Sequence, residues 1–235
     1  MKPKNTDTKN PEDKIRIGRF LSRLGLCSRR TADKFLLNHK VILNENIITS
    51  PAEKVSVNDI LIIDGKKYQW PQKQHIILLN KPEGYVCSHR RFKNQPTIYE
   101  LLPEEYKSLF FAGRLDFNSR GLVILSNNGD LIYELTHPSK KVKKVYHVRL
   151  NRPISETEIQ KTLTGMWDKN EKLRFDKMKK LDKPAHYEII LHTGRNREIR
   201  RVIKKLNVSI ISLCRVELGS YKLNDIKEGN YIEIK

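Results

Sequence analysis

Residues 113–130 constrain this chain more than any other stretch. They open on Gly113-Arg114-Leu115-Asp116-Phe117-Asn118-Ser119-Arg120-Gly121, pass into Leu122-Val123-Ile124-Leu125, and close on Ser126-Asn127-Asn128-Gly129-Asp130. Glycine and short polar residues on both sides of a compact apolar run specify a strand held between two tight turns. The first turn carries a carboxylate, Asp116, at the mouth of that strand, where loop residues are placed to act on a bound ligand. An Arg-x-Asp pair beside a glycine also serves as a structural ion pair or a turn cap. The order of the surrounding segments has to decide between these readings.

Charge narrows the partners. The 235 residues include 46 Lys and Arg against 27 Asp and Glu, a net charge of +19. A chain so charged repels itself unless a polyanion neutralises it, and nucleic acid is the expected partner. Cys27, Cys87 and Cys214 are odd in number and lack ligand spacing, which reads as free thiols in a reducing compartment. No apolar run approaches membrane-spanning length, and the N-terminus lacks the apolar core of a signal peptide. The expectation is a cytoplasmic protein with no membrane partner. Nothing heptad-like calls for a dimer, so a monomer is expected.

Residues 1–14 are polar and proline-bearing and are expected to form a disordered basic tail. From Ile15 the spacing of Ile15, Phe20, Leu21, Leu24 and Leu26 predicts a helix, with Arg16, Arg19 and Arg23 on other faces. Ser28 is expected to cap a second helix over residues 29–38. Short β-type runs follow at residues 41–43, 47–48 and 59–63. Residues 66–74, polar and containing Pro71, read as a linker between a domain over 15–65 and another over 75–235. The second domain opens on the strand His75-Ile76-Ile77-Leu78-Leu79-Asn80. Beyond residues 113–130 come a short helix over 131–136, a strand over 145–150 and a helix over 154–165 capped by Ser155. Strand-like runs at 185–192, 210–216 and 231–234 enclose a helix over residues 197–206. Strands and helices without strict alternation imply an α+β domain on a mixed, mainly antiparallel sheet.

Two basic helices followed by a small β-unit resemble the RNA-binding domain of ribosomal protein S-four. The residues that carry this are Arg16-x-x-Arg19-Phe20-Leu21, Gly25, Cys27-Ser28-Arg29-Arg30, Lys40-Val41 and residues 59–63. Arg16, Arg19, Arg29 and Arg30 would meet RNA phosphates there. The second domain shows Leu79-Asn80-Lys81-Pro82-x-Gly84, residues 113–122, Lys144-x-Tyr146 and Gly194-Arg195-Asn196-Arg197-Glu198-Ile199-Arg200-Arg201, in that order. This succession resembles the RNA pseudouridine synthases that modify bacterial ribosomal RNA.

By that resemblance Asp116 matches the catalytic aspartate, Tyr146 the tyrosine that stacks on the target base, and Arg200 the basic partner of the aspartate. Residues 79–84 match a loop structural in role, and Ser119 stands where threonine is usual. Arg197-Glu198, with Ser28-Arg29-Arg30, resembles the large-subunit branch more than the small-subunit one. Pseudouridine formation breaks the glycosidic bond of uridine, turns the base and rejoins it through carbon 5. No oxidant, nucleotide or metal is required, and the chain carries neither a Walker loop, nor a Rossmann glycine fingerprint, nor a Cys/His cluster. A nucleophilic carboxylate has to be ionised, which a neighbouring guanidinium favours; Arg200 is expected in that place, in bidentate contact, with Arg114 as competitor. Arg114, Lys144, Arg195, Arg197 and Arg201 are expected on RNA. The implied partner is ribosomal RNA or an assembling subunit. A synthase acting on small-subunit ribosomal RNA, a synthase acting on transfer RNA and a non-catalytic RNA-binding assembly factor are the rival readings.

Overall fold

The structure, a computed structural model, describes residues 14–56, 58–70, 73–90 and 92–234. Apart from Lys14, the expected N-terminal tail lies outside the described residues. The chain divides into two compact units, Met1–Gln74 and His75–Lys235.

The first unit runs β1 (Ile15–Arg16), α1 (Ile17–Arg23), α2 (Ala32–Asn38), β2 (Val41–Leu43), β3 (Asn46–Ile47), β4 (Lys54–Val55), β5 (Ile60–Ile63) and β6 (Lys66–Gln69). Its main sheet has the order β3-β2-β5-β6, and β1 pairs with β4 apart from it. Ile17, Phe20 and Leu21 of α1 and Leu36 of α2 close onto Val41, Leu43, Leu61 and Ile63. Three expectations are corrected here. The first helix starts at Ile17 because Ile15 and Arg16 pair with Val55 and Lys54. The second starts at Ala32, since Ser28 and Thr31 satisfy one another: Ser28 N donates to Thr31 Oγ1 at 3.0 Å, and Thr31 N to Ser28 Oγ at 3.2 Å. Ser28 therefore closes a turn ahead of the helix. Residues 66–69, read as the start of the linker, are β6, joined to β5 through Asp64 (φ 48°) and Gly65 (φ 82°). An edge strand bearing Lys66 and Lys67 has a linker's composition because one side faces solvent.

The second unit contains β7 (Ile76–Lys81), β8 (Phe110–Ala112), β9 (Arg120–Ser126), α3 (Gly129–Thr136), β10 (Lys144–Leu150) and α4 (Glu156–Thr164). There follow β11 (Met166–Asp168), β12 (Glu171–Leu173), β13 (Lys177–Lys180), β14 (His186–Leu191), α5 (Glu198–Lys204), β15 (Ile210–Leu218), β16 (Tyr221–Lys222) and β17 (Tyr231–Ile234). The sheet order is β13-β14-β10-β15-β9-β7-β17, with β8 beside β9 and β16 beside β15. Among the described strand pairs of this sheet, only β15–β9 is parallel. The fold is α+β on a mixed, mostly antiparallel sheet, as expected.

The unbroken apolar run of β9 has a two-sided cause. Val123 and Leu125 join Ile77 and Leu79 in one core, while Leu122 and Ile124 join Leu78 and Leu135 in another. With both faces buried, the strand cannot alternate with polar residues. Helix ends follow their local chemistry. Asn128 Oδ1 accepts from Asp130 N and Leu131 N at the start of α3. Ser155 and Glu158 form a reciprocal box at the start of α4, a device worth about 1 kcal/mol.

Candidate active site

The loop between β8 and β9 carries Asp116, and four supports fix it. Lys81, fully buried at the end of β7, donates from Nζ to Ser119 O at 2.6 Å and to Pro82 O at 2.8 Å. Burial pulls its pKa down, opposed by nearby anionic groups that include Glu83 and Asp116. Gly84 N donates to Phe117 O at 2.9 Å. Arg200 donates from Nη2 to Asn118 O at 2.6 Å and Ser119 Oγ at 3.0 Å. The hydroxyl kept at position 119 is thus used. Gly121, at φ +106°, pairs with Lys81 and with Arg215; a Cβ there would stand 2.3 Å from Arg215 O, so only glycine lets β9 and β15 meet.

Two guanidinium groups converge on one carboxylate oxygen. Arg197 Nη1 lies 3.5 Å and Arg200 Nε 3.6 Å from Asp116 Oδ2. The expected bidentate contact is absent because Nη2 of Arg200 is committed to Asn118 and Ser119. Burial lowers the Arg200 pKa and Asp116 opposes that, but an arginine stays charged throughout the working pH range. Arg114 is exposed nearby and makes no ion pair with Asp116.

A cleft of about 1010 Å³ opens around these groups, lined by Arg114, Asp116, Lys144, Tyr146, Arg195, Arg197 and Arg200 among others. Tyr146 of β10 is half-buried and packs against two of the hydrophobic clusters, so the sheet fixes its ring at their seam. Lys144, two residues earlier on the same face, donates to Val142 O at 3.0 Å. Burial, and then repulsion from Arg215, lowers its pKa.

Three charges are buried that the sequence did not mark as such: Arg215, which it left without any role, and Glu198 and Lys81, which it placed only within motifs. Arg215 of β15 is 2 % exposed; its Nε donates to Leu122 O at 2.8 Å, while its Nη2 has no partner among the described residues. Its signal was alternation: Leu213 and Arg215 share an inward register, and a charge there calls for a role. Glu198 accepts from Thr193 Oγ1 at 2.8 Å and Arg195 N at 3.1 Å, ordering the turn ahead of α5. Burial raises its pKa. Lys81 closes an apolar strand, where a lysine is seldom buried without carbonyl partners.

Arg201, expected on RNA, is turned the other way. Its Nε and Nη1 pair with Asp168 and Glu171 of the β11–β12 hairpin, both at 2.5 Å. Its position three residues after Glu198 sets it on the face of α5 that meets that hairpin. Arg195 lines the cleft while donating to Lys172 O at 2.6 Å. In the first unit Arg16, Arg29 and Arg30 are exposed and Arg19 is half-buried. Among the described residues no group of His, Cys, Asp and Glu is placed to hold a metal ion, and no helix is long and apolar enough to cross a membrane.

A carboxylate flanked by two arginines, an aromatic ring and a basic wall define a site for chemistry on a nucleotide. Comparison with known proteins agrees with that class. The RNA pseudouridylate synthase family matches residues 75–205, and the S4 domain family matches residues 15–61. An uncharacterized RNA pseudouridine synthase of Rickettsia bellii (strain RML369-C) is 33% identical over 223 residues, covering 93% of this chain and 96% of the relative. A chloroplastic protein of Arabidopsis thaliana, whose name assigns it to pseudouridine synthesis in the ribosomal large subunit, is 30% identical over 248 residues. That match covers 95% of this chain and 59% of the relative. A solved crystal structure of a pseudouridylate synthase superposes with TM-score 0.65 at 26% identity, covering 94% of this chain and 96% of that one. The chain belongs to the RNA pseudouridine synthase family and joins an S4 RNA-binding domain to the synthase fold.

Proposed function

We propose that this enzyme converts a uridine of large-subunit ribosomal RNA to pseudouridine, with Asp116 as nucleophile. The observation that carries the reading is the convergence on Asp116. One carboxylate oxygen faces Arg197 and Arg200, and the loop bearing it hangs on Lys81 and Arg200. A carboxylate held in place has lost its orientational freedom before substrate arrives, which favours attack over solvation. The oxygen turned from the arginines is the one free to form the covalent bond.

The target uridine has to leave its stack at a cost of a few kcal/mol, offset by stacking against an aromatic face. Tyr146 offers that face from the cleft wall, and its hydroxyl can take the proton released from carbon 5 when the new bond forms. Lys144, Arg114 and Arg195 border the same cleft and would neutralise phosphates on either side of the extruded nucleotide. The first unit adds Arg16, Arg19, Arg29 and Arg30 as a second RNA contact. Support for large-subunit RNA comes from Arg197-Glu198 and Ser28-Arg29-Arg30, and from the name of the Arabidopsis relative. The test is tritium release from transcripts labelled at carbon 5 of uridine, with the two subunit RNAs assayed separately. Release from large-subunit RNA alone supports the proposal; release from small-subunit RNA alone reassigns the substrate.

A further inference from the structure

Trp167 stands on β11 with 67 % of its surface exposed, and the chain contains only one other tryptophan. Isolated exposed apolar residues are ordinary, but the setting of this one is not. Its hairpin has two faces. Met166, Asp168, Glu171 and Leu173 turn inward: Leu173 is fully buried, Met166 packs on the same core, and Asp168 and Glu171 pair with Arg201. Lys205 and Arg195 reinforce the clamp, at 3.2 Å from Asp168 and 3.4 Å from Glu171. The hairpin is thereby fastened to α5, the helix that also carries Arg200. The outer face holds Trp167 and its direct cross-strand partner Lys172, whose side chains stand about 5 Å apart at their base. Lys172 borders the catalytic cleft beside Arg174 and Arg195.

We propose that Trp167 is a stacking platform for an unpaired base of the substrate RNA close to the extruded uridine, with Lys172 taking the adjoining phosphate. The inference rests on the reading of the cleft as the RNA site. An aromatic face beside a cation is the pair that single-stranded RNA engages, because every base has a π-face and every nucleotide a phosphate. Charge favours this occupant over a protein surface: Lys172 is the cross-strand partner of Trp167, Lys169 lies in the turn between the two strands, and the whole chain carries +19. Area favours it too, since no other large exposed apolar residue lies on the hairpin. A lone indole matches one base, whereas a protein interface needs a contiguous patch. The ion-pair clamp ties the hairpin to α5, whose Arg200 also holds the Asp116 loop, so platform and carboxylate hang on one helix.

The experiment uses the full chain carrying Trp70→Phe, so that Trp167 is the single indole. Its emission is followed during titration with oligouridylate, while binding is measured independently by anisotropy of a labelled RNA. Stacking predicts quenching that saturates with binding. In the otherwise native chain, Trp167→Ala should raise KM for the ribosomal RNA transcript by about 5- to 150-fold, with kcat little changed. Trp167→Phe should keep most of the affinity. Saturated binding without quenching, or Trp167→Leu behaving as wild type, overturns the proposal. Repeating the titration with Asp116→Asn separates the two readings. Quenching without isomerisation by the wild type would overturn the assigned reaction alone, and normal isomerisation without quenching would overturn the platform alone.

Discussion

Lys81→Met offers a sharp test of how the loop bearing Asp116 is held. The lysine is fully buried, its pKa is pulled down by burial, and its ammonium group bridges Pro82 O and Ser119 O at 2.8 and 2.6 Å. Methionine fills a similar volume, so the cavity cost is small. Two carbonyls lose their donor, and the one on Ser119 is left in a buried setting, at about 1–3 kcal/mol. Removing a buried charge works in the opposite direction. The carbonyls decide the balance because they already replace the water that the ammonium gave up, so the net loss is about 1–3 kcal/mol. For a unit of this size, 1 kcal/mol corresponds to about 2–4 °C, giving a fall of about 2–12 °C in Tm by calorimetry. The larger effect falls on catalysis, since a displacement of about 1 Å in a reacting group costs on the order of 10² in rate. Tritium release should show this in kcat rather than KM. A variant as stable and as active as the wild type would refute the claim that Lys81 sets the loop.

Other perturbations separate the remaining roles. Arg200→Ala removes an ion pair and two loop hydrogen bonds and should lower kcat by 10² or more, whereas Arg197→Ala removes one exposed contact and should act mainly through KM; equal kcat losses in the two would contradict this. Gly121→Ala should fail to fold or lose several kcal/mol, because its Cβ meets Arg215 O at 2.3 Å with φ at +106°; a near-native melting curve would sink the close-approach argument. Glu158 is held at about 2, first by its hydrogen bonds from Arg152 and next by the Ser155 amide, against an ordinary 4.5. A depressed carboxyl stabilises the fold above 4.5 and loses that contribution as pH falls through about 2. In acid titrations followed by circular dichroism, wild type should therefore outlast Glu158→Gln at the upper end of that window and converge with it at the lower. Parallel titrations with a constant offset would count against the pair.

Much of the fold was legible because local chemistry and burial agreed. Residues 122–125 read as a strand, and Ser155 marked the start of α4, since no tertiary contact competed with either signal. The reading failed where partners distant in sequence decided. Ile15 and Arg16 look helical until Lys54 and Val55 pair with them. β13, with lysines at 177, 179 and 180, has a loop's composition, because an edge strand needs only Met178 turned inward. At the site, Asp116, Arg200 and Tyr146 came from motif order, and the structure brings all three to one cleft. Arg201 shows the limit of that method. Charge and neighbourhood assign it to RNA, yet Asp168 and Glu171, contributed by a hairpin that left no periodic signal, claim its guanidinium. Arg215 was passed over for a related reason: alternation with Leu213 places the two on one face of β15, but only the pairing of β15 between β10 and β9 shows that this face is buried there.

The central claim is that the Asp116 carboxylate attacks, and Asp116→Asn tests it most directly. The substitution keeps size and shape but replaces one carboxylate oxygen with an NH2 donor and removes the charge that makes the group a nucleophile. Wild type and variant would be compared for tritium release from large-subunit RNA and for affinity toward the same transcript. The account predicts no release by the variant, with affinity held by Tyr146 and the basic wall. Release at a wild-type rate by a folded Asp116→Asn enzyme would contradict it.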